Sequence, residues 1–195
     1  MSGHPYKIAV AGTHSTGKSS FLIRLEEALK SRGVRVEHVH SGAVDAAAHG
    51  LPILAGHTFD STAWIMAGTM QSEALAALRA EVILIDRPTP DALGYLLAAL
   101  RHTGRTLEPG RYARLEAICS AWAGEYDLVF LTRIDPAIPL GPGRDQDLVF
   151  RLEAANAVRE IVDKLLPERQ MLDSTSIDGS VEFAVNAFER WRQSC

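Results

Sequence analysis

Apolar and polar positions along the chain switch repeatedly between two periods. Tyr6–Ala11 (YKIAVA) is a short, mostly apolar run that predicts a strand, and Gly12–Ser19 breaks it with a loop bounded by glycine. Over Ser20–Arg32 the side chains of Phe21, Leu22, Leu25, Ala28 and Leu29 recur on one helical face, and Gly33 stops that helix. Val34–Val39 alternates apolar with polar residues as a second strand. Ala43–His49 carries one or two turns of helix, whereas Gly50–Phe59, with Pro52 and Gly56, reads as loop. Helical period returns over Asp60–Ala80, with Asp60 or Ser61 at the cap. Glu81–Asp86 (EVILID) is apolar until its last residue, as in a strand covered on both faces. Helices follow over Pro90–His102 and Glu108–Gly124, then a buried strand at Leu128–Thr132. Beyond the Pro/Gly-rich stretch Asp135–Gly143 come a helix over Asp147–Leu166, a short strand at Gln170–Asp173 and an amphipathic helix over Ser180–Arg192.

This alternation predicts an α/β fold, a parallel five-stranded sheet with helices on both faces. No repeat or linker divides the chain, so residues 1–195 are expected to form one domain. With 47% hydrophobic and 23% charged residues the chain is too apolar to be disordered. A net charge of -4 argues against a nucleic-acid polymer as partner but leaves room for a local basic pocket. There is no secretory signal and no run of the roughly 20 apolar residues that a membrane span needs, so no membrane and a cytoplasmic location are expected. Two cysteines, Cys119 and Cys195, suggest neither a disulfide framework nor a zinc site, and Cys119 is expected to be buried.

The loop carries the chemistry. Gly12-Thr13-His14-Ser15-Thr16-Gly17-Lys18-Ser19 fits G-x-x-x-x-G-K-[ST] at every fixed position, between a strand and a helix as that phosphate-binding motif requires. Gly12 and Gly17 let the backbone curl so that its N–H groups face inward as an anion nest. The helix N-terminus adds its positive dipole end there. Lys18 is expected at the β/γ-phosphates of ATP, and Ser19 on Mg²⁺. Thr13, His14, Ser15 and Thr16 contribute backbone donors, with Ser20 beside them, and the His14 side chain is given no chemical role.

Asp86 closes an apolar strand, and the carboxyl ends of parallel strands border the ligand crevice. There it suits Mg²⁺, as a Walker B-like residue, or the proton of an attacking hydroxyl. Its bland alternative is a cap on the segment starting near Pro88. Arg87 suits a phosphate or a carboxylate equally.

The loop GTHSTGKSSF together with IDRPTPDALGYL resembles the small P-loop kinases of nucleosides and nucleotides, and more specifically the AAA-type ATPase-like group that includes nicotinamide riboside kinase domains. The resemblance implies a nucleotide-kinase-like P-loop fold and transfer of the γ-phosphoryl group of ATP to a small acceptor. It also implies an Arg-bearing lid, for which the candidate is Leu140–Arg151 within about 133–151. Arg144 would then be a catalytic phosphate clamp and Arg151 a second one; the plain reading of Arg144 is a solvated loop residue. Many such kinases are dimers, and Pro90–His102 is an apolar helix that could supply an interface. By the same resemblance the acceptor lies within Ser41–Glu73, which offers Asp45, Asp60 and Glu73 as substrate ligands beside Arg87 and Arg151. No Arg occurs from position 36 to 78, so carboxylates for ribose or sugar hydroxyls fit this region better than cations for a phosphorylated acceptor. Trp64 reads as core or as a stacking platform, Glu73 as ligand or as solvated face, and His49 and His57 lack metal-ligand spacing.

Two other functions fit the loop. A GTP-binding switch is faintly echoed by Thr132-Arg133-Ile134-Asp135, although Arg133 replaces the expected Lys and Asp86-Arg87-Pro88-Thr89 lacks a switch glycine. A regulatory ATPase acting on a protein partner would hydrolyse ATP without any small acceptor.

Overall fold

Neighbouring residues of the first strand serve opposite faces of one sheet. In the computed structural model, which describes residues 4–136, 138, 147–172 and 174–194, that strand is β1 (Tyr6–Ala11), buried throughout. Around it lie β2 (Val36–Val39), β3 (Val82–Asp86), β4 (Leu128–Thr132) and β5 (Gln170–Leu172), in the order β2-β3-β1-β4-β5 with every pairing parallel. The helices are α1 (Lys18–Lys30), α2 (Ala43–Ala48), α3 (Phe59–Ala76), α4 (Thr89–Thr103), α5 (Arg111–Ala123), α6 (Leu148–Leu165) and α7 (Ile177–Ser194). A 3-10 turn spans Leu54–Gly56.

Tyr6, Ile8 and Val10 pack with Val82, Leu84 and Phe130 against α1 and α7, where Phe21, Leu25, Val185 and Phe188 close the layer. Ala9, Ile83, Ile85 and Val129 turn the other way, toward Ala76 of α3, and Ala11 and Leu131 toward α4 and α6. The alternation is the strand period itself, with a layer of helices on each face.

Several helix starts differ from the sequence expectation, α5 beginning at Arg111 rather than Glu108 and α7 at Ile177 rather than Ser180, and two of the differences have a clear local cause. α1 begins at Lys18 rather than Ser20, because Gly17 adopts φ 85° at its cap and the helix springs directly from the loop. α3 is capped by Thr58 rather than by Asp60 or Ser61: the Thr58 hydroxyl accepts the Ser61 N–H while Ser61 returns the bond to the Thr58 backbone.

α4 is the central helix of its layer and cannot supply the interface expected of Pro90–His102. Most of its residues are buried under α3, α5 and α6. A β-carbon on Gly94 would stand 2.7 Å from Val158, so glycine sets the close approach of α4 to α6. Among the described residues no helix is long and apolar enough to cross a membrane.

Candidate functional site

The loop after β1 is bent at three left-handed positions, Gly12 (φ 133°), Ser15 (φ 53°) and Gly17 (φ 85°). Each side of it is tied to a different element. Asp91, in the first turn of α4, accepts the Gly12 N–H with both carboxylate oxygens at 3.1 and 3.2 Å. Thr132, the last residue of β4, gives its hydroxyl hydrogen to the Ala11 carbonyl and lies 2.8 Å from the Thr16 hydroxyl. Arg151 of α6 donates from Nη2 to the carbonyls of His14 (3.3 Å) and Ser15 (3.0 Å). The buried Lys18 ammonium donates to the Thr13 carbonyl. A planar trans peptide held by its C=O on one side presents its N–H on the other. Cations therefore hold the carbonyls of Thr13, His14 and Ser15, which orients this stretch of the loop to receive an anion.

The loop opens into a cavity of about 570 Å³ lined by His14–Ser20, Asp86, Arg87, Asp91, Tyr95, His57, Ile138 and an apolar wall including Ile53, Leu54, Ile65 and Ala92. Asp86 reaches it from the end of β3, where its backbone pairs with Val10, two residues before the loop begins. Its Oδ1 is buried and has no hydrogen-bond partner among the described residues. It is not a helix cap: Pro88 occupies that position, and the Thr89 N–H is taken by the Tyr126 hydroxyl at 3.2 Å. A buried carboxylate oxygen without a donor, with the exposed Ser19 hydroxyl on the same cavity, is a donor set that suits a hard cation such as Mg²⁺.

Arg87 turns at φ 68° and donates to the Tyr95 hydroxyl at 3.0 Å, with Asp91 3.8 Å away. Burial opposes its charge, but Tyr95, Asp91 and Asp86 outweigh burial and hold its pKa above the ordinary value. Burial pushes Asp91 the other way, up to about 7, against the pull of Arg87, Lys18 and the Gly12 N–H.

The remaining expected residues separate. Arg151 lies at the site, with its guanidinium on loop backbone. Arg144 and most of the expected lid, residues 139–146, lie outside the described residues. Asp45 sits on α2 and lines, with Trp64 and Gln71, a second pocket of about 500 Å³ that shares His40 with the cavity and does not include Asp86. Asp60 is exposed and pairs with Arg111 at 3.0 Å, so it faces solvent rather than the cavity. Glu73 is neither a ligand nor a solvated residue. It is fully buried behind the sheet, where it accepts from Lys7 Nζ (3.1 Å), Trp122 Nε1 (3.0 Å) and the Tyr126 hydroxyl (3.1 Å). Burial raises its pKa and Lys7 opposes the rise.

Asp91 and Tyr95 are not legible in the sequence as parts of the site, and Thr132 enters there only through the guanine-reading echo. For Asp91 the available signal was a carboxylate in the first turn after Pro88-Thr89-Pro90, five residues beyond Asp86.

An AAA domain family matches residues 7–178. The chain belongs to it. No curated protein matches this AAA domain by sequence. Solved structures resemble it in fold: deoxyadenosine kinase from M. mycoides with bound dATP has a TM-score of 0.66 at 14% identity, over 94% of this chain and 99% of that one. The NadR protein in complex with NAD and AMP-PNP gives 0.61 at 16% identity over 91% of this chain, and the NadR complex with NR gives 0.62 at 15% over 95%. This AAA domain spans about half the length of those NadR chains, 49% and 50%. These structures share the fold of this AAA domain, a parallel five-stranded sheet with helices on both faces.

Proposed function

We propose that the chain is an ATP- and Mg²⁺-dependent phosphotransferase that moves the γ-phosphoryl group of ATP to a small acceptor, a nucleoside, nucleotide or related metabolite. The observation that carries this reading is one cavity lined by the phosphate loop, by Asp86 with its buried, unpartnered Oδ1, and by an apolar wall. Phosphoryl transfer asks the protein for positioning and charge, and the loop backbone with Lys18 supplies both for the phosphates. Ser19 and Asp86 would hold Mg²⁺, which when bound neutralises charge on the β- and γ-phosphates. Asp86 alternatively takes the proton of the acceptor hydroxyl. Arg144 is proposed as a further phosphate clamp, whereas Arg151 keeps the loop in shape. The deoxyadenosine kinase among the similar folds supports the same reading.

The guanine-reading role of Thr132–Asp135 finds no support. Thr132 is spent on the loop, and Asp135 Oδ2 accepts the Ser174 hydroxyl at 2.7 Å.

ADP release from Mg-ATP across a panel of nucleosides, nucleoside monophosphates and sugar-like metabolites tests the proposal, with GTP run in parallel. Release that depends on one acceptor class, and is abolished in Lys18→Ala, is expected. Slow hydrolysis indifferent to every acceptor, or a preference for GTP, would overturn it in favour of a regulatory ATPase or a switch.

A further inference from the structure

The turn before α3 is strained, and it is pinned from outside. Leu54 sits at φ 57°, a left-handed conformation that crowds the β-carbon of any L residue against its own backbone. The Gly56 and His57 N–H groups close the turn onto Ile53 and Leu54 at 3.0 Å each. Arg105, from beyond the end of α4, donates to the carbonyls of Ala55 (2.8 Å) and His57 (3.0 Å) and braces its Nε on Thr103. Strain maintained by this much bonding marks a functional segment. What the turn presents to the cavity is Leu54 and His57.

The bonding of His57 fixes its hydrogen. Nδ1 lies 2.9 Å from the Leu54 carbonyl, which can only accept, so Nδ1 carries the proton and Nε2 of the neutral ring offers a lone pair. No second bond engages this ring among the described residues. The imidazole lies 5.6 Å from the Tyr95 ring at 37°, and both line the cavity.

We infer that His57 is the acceptor-recognition residue, its Nε2 taking a hydrogen bond from an N–H on an uncharged heterocycle packed beside Leu54 and Tyr95, so that the acceptor is a nucleoside rather than its monophosphate. This rests on the kinase reading and narrows it. Charge in the cavity points the same way. Among the described lining residues the permanent cations are Lys18, which belongs to the phosphate loop, and Arg87, which is already matched by Asp91 and Tyr95. A phosphomonoester would bring about two negative charges up to Asp86. His57 adds no cation at neutral pH: burial lowers its pKa to about 4, with Arg87 and Arg105 pushing the same way against the Leu54 bond.

Calorimetric titration of the full chain with adenosine, cytidine, guanosine, uridine and their 5′-monophosphates tests this. At least one nucleoside is expected to bind, with its monophosphate about tenfold weaker or worse. Asn can reproduce the Nδ1 bond to Leu54 but deletes the group at Nε2, whereas Gln reaches the Nε2 position. His57→Asn should therefore weaken the nucleoside about tenfold at an unchanged melting temperature, and His57→Gln should recover most of that loss. The wild type also tests it without mutation, because replacing every N–H of the bound nucleoside's base by N–CH₃, at the ring nitrogen of guanosine or uridine or at both positions of an exocyclic amino group, should cost a similar factor. Binding of no nucleoside, equal or tighter binding of the monophosphate, or indifference to both His57→Asn and N-methylation would overturn the inference. The two proposals fail separately. His57-dependent nucleoside binding that never accelerates ADP release sinks the kinase and keeps the site. Nucleoside-dependent ADP release indifferent to His57 and to N-methylation does the reverse.

Discussion

Asp91 and Gly12 stand 79 residues apart, yet both Asp91 carboxylate oxygens lie within 3.2 Å of the Gly12 nitrogen. The first turn of α4 thereby holds the first peptide of the phosphate loop. The same carboxylate lies near Arg87, so one buried group ties the loop to the arginine that follows β3 on the cavity wall.

Asp91→Ala should strand the Gly12 N–H and leave Arg87 without its charge partner. The expected cost is about 2–4 kcal/mol of stability, with a KM for ATP raised about tenfold in the protein that remains folded. Chemical denaturation and steady-state kinetics at low temperature check the two effects separately.

Gly12→Ala should be more damaging still. Its β-carbon would stand 1.9 Å from the Thr132 hydroxyl oxygen, at a φ of 133° that side-chain-bearing residues rarely adopt. Loss of at least about 3 kcal/mol is expected. Adding Thr132→Ala should recover part of it, because that removes the collision but leaves the backbone strain. A double-mutant cycle on unfolding free energies measures the recovered share.

Asp86→Asn keeps the shape and removes the charge. If Asp86 serves the acceptor hydroxyl, kcat should fall at least about a hundredfold with ATP affinity nearly unchanged. A loss confined to Mg²⁺-dependent ATP binding would place it on the metal alone. Nucleotide titration with and without Mg²⁺, beside turnover, separates the two.

Glu73→Ala should unfold the protein more readily without touching the chemistry. It leaves the buried Lys7 ammonium with only the half-exposed Glu125 carboxylate, 3.8 Å away, and breaking a buried pair from one side costs about 3–5 kcal/mol. Turnover well below the melting temperature should keep its KM within about twofold, which a substrate ligand could not do.

His57 and Asp91 give opposite slopes of stability against pH over nearly the same window. The folded pKa of His57 is lowered from 6.5 to about 4, so its contribution is present above 6.5 and lost as pH falls toward 4. The folded pKa of Asp91 is raised from 3.8 to about 7, so its contribution is full below 3.8 and lost as pH rises to 7. The two slopes have opposite sign, so in the wild type they offset one another. His57→Asn should expose the Asp91 slope, with stability falling from pH 4 to 7, and Asp91→Asn should expose the rising one. Melting temperatures across that range check both signs.

The sequence made legible what depends on local pattern. Five strands and the loop motif could be read because strand burial and the spacing of Gly12, Gly17 and Lys18 are local properties. Glu73 was misread because nothing near it in the chain announces Lys7 or Tyr126; its partners arrive only when α3 meets β1 and the end of α5. Asp60 looked like a ligand or a cap until Arg111 came within reach. Thr132 and Asp91 hold the loop across 116 and 79 residues, distances over which a one-dimensional pattern carries no signal.

Arg151 has a consequence for how such a loop can be transplanted. Its guanidinium grips the His14 and Ser15 carbonyls from a helix that begins more than 120 residues later, and Thr132 and Asp91 complete the hold from two other elements. The eight residues of the motif, grafted alone onto a strand and helix elsewhere, would bring the glycines but leave the mould behind. What such a graft would inherit is a pliable turn; the anion-shaped cup belongs to the whole sheet.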